Sequence, residues 1–160
     1  MIVTAYGAAV LRLLEDVRRR PERYSEFVIC SPFVDAELLP LVVELAERAY
    51  RAQRAFRVIT RPPVATMLLA ALPGPPGRWT KMVHVHSNLH AKAYLGLCRE
   101  GRSQAIVTSA NLTVPGLERN VELGVRADST SFAGCQLVDQ VRRFLQHVAL
   151  FDAGPCNPTP

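Results

Sequence analysis

Leu89-His90-Ala91-Lys92-Ala93-Tyr94-Leu95, answered after a short loop by Ala105-Ile106-Val107-Thr108-Ser109-Ala110-Asn111-Leu112-Thr113, is the stretch around which the rest of the chain is organised. Each half reads as a short strand. Side chains alternate between the two faces of a strand. His90 and Lys92 therefore share a direction, and so do Ser109 and Asn111. If the two strands are neighbours, an imidazole, an ammonium, a hydroxyl and an amide converge on one spot. One nucleophile or base, one fixed cation and two hydrogen-bonding groups suit a phosphate.

Upstream, Val10, Leu13, Leu14 and Val17 recur at helical spacing over residues 5–20, and Arg18, Arg19, Arg20 and Pro21 close that helix. Phe27-Val28-Ile29-Cys30 is a continuous apolar run, as in a strand buried on both faces. Ser31-Pro32-Phe33 is a turn, Asp35 a candidate N-cap, and residues 36–52 a helix with Pro40 in its first turn. Phe56 to Thr60 is a second strand, and residues 62–72 a helix opened by proline. Strands separated by helices predict parallel pairing with helices on the sheet faces. Pro73-Gly74-Pro75-Pro76-Gly77 is a loop and not a domain linker, because too little chain lies on either side for two cores.

After that loop the rhythm changes. Lys81–His86, His90–Leu97, Gln104–Ser109 and Asn120–Arg126 read as four strands with short connections, which admit antiparallel neighbours. Residues 130–149 form a helix built on Phe132, Leu137, Val138, Val141, Phe144, Leu145 and Val148. The expected architecture is α/β: a mixed central sheet flanked by helices on both faces, an α-β-α sandwich in a single domain over residues 1–152. The Pro-rich tail over 153–160 is expected to be poorly ordered.

With 160 residues, 49% of them hydrophobic and 21% charged, the chain can bury one real core. Nineteen Lys and Arg against 14 Asp and Glu give a net charge of +5. That balance favours an anionic partner such as nucleic acid or phospholipid headgroups; the plainer reading is a basic, solvated surface. Cys30, Cys98, Cys135 and Cys156 form no CxxC pair, so neither a disulfide framework nor a zinc site is expected, and Cys30 and Cys98 read as buried thiols. No leader pattern and no run long enough to span a bilayer is present in the sequence, and the expected location is cytoplasmic.

These residues resemble the phospholipase D superfamily, whose signature is HxK(x)4D followed by a GSxN-like segment. The first part stands here as His90-Ala91-Lys92 and the second as Thr108-Ser109-Ala110-Asn111. Ser31-Pro32-Phe33, Thr60-Arg61 and Asn120-Val121-Glu122 also look like family features, so the resemblance covers nearly the whole chain. One departure is plain: Leu97 stands where the family has its Asp, and the nearby acidic residue is Glu100.

The resemblance implies a metal-independent phosphodiesterase without a cofactor. Phosphodiester cleavage needs a nucleophile at phosphorus, a proton for the leaving oxygen and positive charge over the non-bridging oxygens. His90 is then the nucleophile, forming a phosphohistidine, Lys92 the cation, and Ser109 and Asn111 the phosphate ligands. Glu122 is the acid that orients the His90 ring. The mechanism needs a second histidine, and none of His84, His86 and His147 is followed by a Lys two positions on. Within the resemblance the answer is a homodimer, with two copies of the 90–111 segment facing across a two-fold axis. Tyr94, Thr108, Arg61 and Arg78 are candidate substrate-binding residues; Tyr94 either lines the pocket or packs, and the arginines reach a phosphate backbone or only solvent. Trp79 can stack on a base. His84 and His86 are a metal pair or, preferably, a satisfied or solvent-facing one.

The sequence is thus read as a nuclease cleaving DNA or RNA, with DNA favoured, that does not act at a membrane. Two rivals stand beside it: a phospholipid-cleaving enzyme with the same residues, and a catalytically silent nucleic-acid-binding or dimerisation module of a larger defence or restriction assembly.

Overall fold

Val10, Leu13, Leu14 and Val17 face inward from helix α1 (Tyr6–Arg19) in the computed structural model, as their spacing dictates. The structure describes residues 6–151; the tail expected over 153–160, and Cys156 with it, lie outside the described residues. Pro21 ends α1 and a single 3-10 turn leads into β1 (Tyr24–Cys30). There follow α2 (Leu39–Arg51), β2 (Ala55–Thr60), α3 (Pro62–Ala71) and β3 (Val83–Val85). The second half runs β4 (Ala93–Cys98), β5 (Gln104–Thr108), a π-helical turn over Pro115–Arg119, β6 (Gly124–Asp128) and α4 (Phe132–Phe151).

The six strands form one mixed sheet in the order β3-β2-β1-β4-β5-β6. β1, β2 and β3 are parallel, because the intervening segments carry the chain back between them. β4 runs antiparallel to β1, and the rest follows as an antiparallel meander on short loops. One face buries Phe27, Ile29, Tyr94 and Ile106 under α1, α2 and α3. The other buries Val28, Cys30, Leu95 and Ala105 under Val138, Val141 and Leu145 of α4. The expected α-β-α layering is the observed one. Among the described residues no helix is long and apolar enough to cross a membrane.

Several expectations are corrected. The strands are shorter: His90 and Lys92 precede β4, and Ser109 and Asn111 follow β5. The strand expected over 81–86 is only Val83–Val85, because Met82 and Val83 donate their amides back to the Trp79 carbonyl and hold a turn. The strand expected from Asn120 begins at Gly124, after the π-helical turn. Helix α2 starts three residues late. Asp35 does not cap it with its side chain; its Oδ2 instead accepts the Val114 amide at 2.8 Å. Cys98 is half-buried rather than buried, and Phe132 and Phe144 are largely exposed rather than core.

Trp79 is corrected too. The indole is fully buried, donates Nε1–H to the Pro73 carbonyl at 2.6 Å and leans on Tyr50. The loop that offered it to a base is a plug on the core. Removing so large a buried side chain leaves a cavity and an orphaned carbonyl. Trp79→Ala is expected to cost about 3–5 kcal/mol in urea denaturation, whereas an exposed base-stacking residue would leave the midpoint unmoved.

Candidate active site

The site lies where the sheet changes from parallel to antiparallel. The C-terminal end of β1 meets the start of β4 at Cys30↔Ala93, and Thr108 at the end of β5 donates its amide to the Lys92 carbonyl at 3.1 Å. His90, Lys92, Thr108 and Ser109 consequently line one open cavity of about 530 Å³. Its far wall is Gln140, Val141 and Phe144 of α4, with Val107 beside them.

Each side chain is held differently. Leu89 is buried, donates its amide to the His86 carbonyl at 3.1 Å and accepts Arg61 Nε–H at 2.8 Å, so the exposed His90 stands on an anchored loop. The Arg61 guanidinium also sits 5.3 Å from the Phe33 ring centroid. Lys92 is 9% exposed, and among the described residues no carboxylate pairs with it. Lys92 lines the cavity, where it offers positive charge to an anion. Beneath it, Cys30 is buried with its thiol toward the Ala91 carbonyl at 3.7 Å, and burial pushes that thiol up to about 12.

Ser109 donates its hydroxyl proton to Glu122 and accepts the Leu123 amide at 3.0 Å, while Asn120 donates to the other Glu122 oxygen at 3.2 Å. Glu122 is thus engaged by Ser109 and Asn120, not by the His90 ring as expected. In this arrangement the Ser109 proton faces a carboxylate rather than the cavity. Thr108 lines the cavity, but its Oγ1 donates to the Leu123 carbonyl and accepts the Ala110 amide, both at 3.1 Å. Asn111 is outside the cavity wall, and its Oδ1 is buried without a hydrogen-bond partner.

Other candidates lie elsewhere. Tyr94 packs and does not line the cavity: it is fully buried, donates to the Ala110 carbonyl at 3.3 Å, and burial raises its phenol far above the ordinary range. Arg78 is 3.7 Å from the Tyr50 ring centroid, ahead of the N-terminal end of β3, whereas the His86 amide at the other end of β3 bonds the Thr60 carbonyl on the site's side. It is therefore far from His90. His84 lies on β3, where burial lowers its imidazole below 6.5. Among the described residues no group of three or more His, Cys, Asp or Glu could hold a metal ion. Leu97 is half-buried against the core under α4, making an aliphatic contact where the resembled family has a carboxylate.

Sequence reading missed the α4 wall. It placed Phe144 in the core stripe, and only the packing of α4 over β4 and β5 puts its ring at the rim. It also undervalued Ser31 and Asp35. Ser31 donates to the Phe33 carbonyl at 2.7 Å and accepts the Leu112 amide at 3.0 Å. With the Val34–Leu112 bridge and the Asp35–Val114 bond, it ties loop 109–114 to β1. Gly116 is required there, since a Cβ would come within 2.7 Å of the Asn111 carbonyl oxygen.

Among solved structures, the chain is similar to a phospholipase D family member, Nuc from Salmonella typhimurium. The TM-score is 0.54 at 14% identity, over 91% of this chain and 88% of that one. It is also similar to the crystal structure of polyphosphate kinase from Porphyromonas gingivalis, with a TM-score of 0.55 at 15% identity, over 98% of this chain and 26% of that one. The fold is therefore phospholipase D-like: a mixed six-stranded sheet between helical layers. No protein-family model matches the chain, and no curated protein matches it in sequence.

The Asp35–Val114 bond gives a direct check on how the site is held. Asp35→Ala leaves a part-buried amide unpaired and is expected to cost about 1–3 kcal/mol, with faster hydrogen exchange at the Val114 amide. Asp35→Asn keeps an acceptor oxygen and is expected to retain most of that stability. Equal losses in both variants would assign the effect to charge instead.

Proposed function

We propose that this protein is a metal-independent phosphodiesterase, a nuclease acting through a phosphohistidine, with one composite active site per homodimer. The observation that carries the reading is Lys92, 9% exposed and without a carboxylate partner among the described residues, lining the same cavity as His90. The phospholipase D-like fold supports a phosphodiester-directed activity in the same place.

In this reaction a neutral His90 nitrogen attacks phosphorus as the bond to the leaving oxygen breaks. A second, protonated imidazole gives that oxygen its proton. The same imidazole then takes a proton from water, the water oxygen attacks phosphorus, and the P–N bond breaks to restore His90. Lys92 balances the charge on the non-bridging oxygens and removes the need for a metal to do so. Ser109 supplies a hydroxyl once it turns from Glu122, and Asn111, outside the cavity wall, supplies its amide once its side chain turns in. Glu122, through Ser109 and Asn120, shapes the rim on the β6 side.

The second imidazole is assigned to a second copy of the chain. His90 is exposed, and Val121 and Leu123, on either side of Glu122, are both largely exposed. A two-fold contact there covers apolar surface and joins the two histidines. DNA is the favoured substrate and RNA the alternative, in keeping with the net charge of +5.

His90→Ala is expected to lower cleavage of DNA in the presence of a chelator by on the order of 10³-fold or more. Circular dichroism and sedimentation mass should be unchanged. Full activity of that variant, or a strict Mg²⁺ requirement of the wild type, would sink the proposal. Turnover of phosphatidylcholine but not of nucleic acid would transfer the site to lipid, and tight DNA binding without turnover would make it a silent module.

A further inference from the structure

The cavity is not uniform. The loop ends beside β4 and β5 contribute the polar groups His90, Lys92 and Ser109; the wall from α4 contributes Phe144, Val141 and the single amide of Gln140, with Val107 of β5 next to Thr108. Phe144 is 46% exposed and Val107 is 43% exposed, so a ring and an isopropyl group of the wall are wet beside the phosphate-seeking groups. Covering them with a flat apolar group is favourable, and covering them with more phosphate is not.

We infer that the apolar wall from α4 seats one nucleobase of the strand whose phosphate lies at His90, with the base stacked on Phe144 and its edge met by Gln140. This rests on the nuclease reading above. A nucleotide has the same polarity gradient as the cavity, a phosphate joined to a flat, largely apolar ring system. The volume of about 530 Å³ is in the range of a small-ligand pocket and takes one nucleotide, not a stacked pair of strands. An aromatic wall accepts every base, since each has a π-face, and the amide of Gln140 offers both a donor and an acceptor to whichever edge arrives. The base must leave its stack to enter, so the substrate is single-stranded or locally opened nucleic acid. A second copy of this chain could cover the same apolar wall instead, and the experiment separates the two.

Affinities are measured by fluorescence anisotropy in the His90→Ala background, which keeps the strand intact. The probes are a labelled single-stranded oligodeoxynucleotide, the same backbone with every base removed, and the duplex. The strand with bases is expected to bind on the order of tenfold more tightly than the abasic one, and more tightly than the duplex. Adding Phe144→Ala is expected to weaken only the strand with bases and erase the difference, whereas Phe144→Trp retains it. Equal binding of the two single strands, or equal weakening of both by Phe144→Ala, overturns the inference. So does a fall in sedimentation mass with Phe144→Ala, which would assign the ring to a contact between copies. Cleavage is followed separately with His90 restored: base discrimination without cleavage overturns the hydrolase reading and leaves the base site standing, and cleavage without discrimination does the reverse.

Discussion

The Ser31 hydroxyl holds together two halves of the chain that are built differently. On its own side it donates to Phe33; from the other half it accepts the Leu112 amide, while its carbonyl accepts Thr60 Oγ1 at 2.7 Å. The parallel half brings β1 and β2 to this point, and the antiparallel meander brings β4 and β5. The residue is fully buried, so each bond is shielded from water, and losing one would leave a desolvated partner. Neither half presents a site alone. The first contributes anchors and the second contributes His90, Lys92, Thr108 and Ser109, and the junction sets their spacing.

At that junction the molecule forgoes stability. Lys92, 9% exposed and without a carboxylate among the described residues, and the buried Asn111 oxygen, without a donor among them, are both left uncompensated in the free protein. The surrounding packing is tight enough to hold them: Cys30, Ile59 and Leu95 fill the sheet beneath, and Gly96 is kept bare because a Cβ would meet the Tyr24 ring at 2.7 Å. Ion pairs elsewhere are abundant by contrast. Arg18 and Arg19 share Glu15, Arg142 and Arg143 share Asp139, and Arg57 meets Glu26 at 2.6 Å. Against that background Lys92 stands out as a cation without a carboxylate among the described residues, and under the proposed function the substrate phosphate meets it.

The layering, the mixed sheet and the cavity residues His90, Lys92, Thr108 and Ser109 were legible in the sequence because each depends on a local period or a short spacing. Val10, Leu13, Leu14 and Val17 need only a 3.6-residue repeat, and Phe27–Cys30 only a continuous apolar run. What was not legible depended on tertiary choice. Trp79 sits in a Pro- and Gly-rich loop whose composition says surface, yet the gap beside Tyr50 claims the indole. Asp35 has the identity and position of an N-cap, yet an amide distant in sequence claims its carboxylate. Tyr94 is two residues beyond Lys92, and the strand that begins between them delivers it to the core. Glu122 was assigned to His90 by analogy with an orienting acid, but the β5–β6 pairing puts Ser109 in its way.

The same distinction explains how differently the two principal site residues are anchored. Lys92 is fixed by the ladder, since its carbonyl accepts from β5 and its stem is buried. His90 is three residues before the strand, exposed, and anchored through Leu89, whose carbonyl takes the Arg61 Nε–H bond. Arg61, read from the sequence as reaching a phosphate backbone or only solvent, gives its Nε–H to this bond and so helps position the loop that carries His90. A cation that must meet a diffuse charge tolerates no wandering, because its attraction falls with distance. Under the proposed function, a nucleophile that attacks phosphorus and then leaves it needs a small swing about a firm pivot, and a loop pinned at Leu89 suits that need.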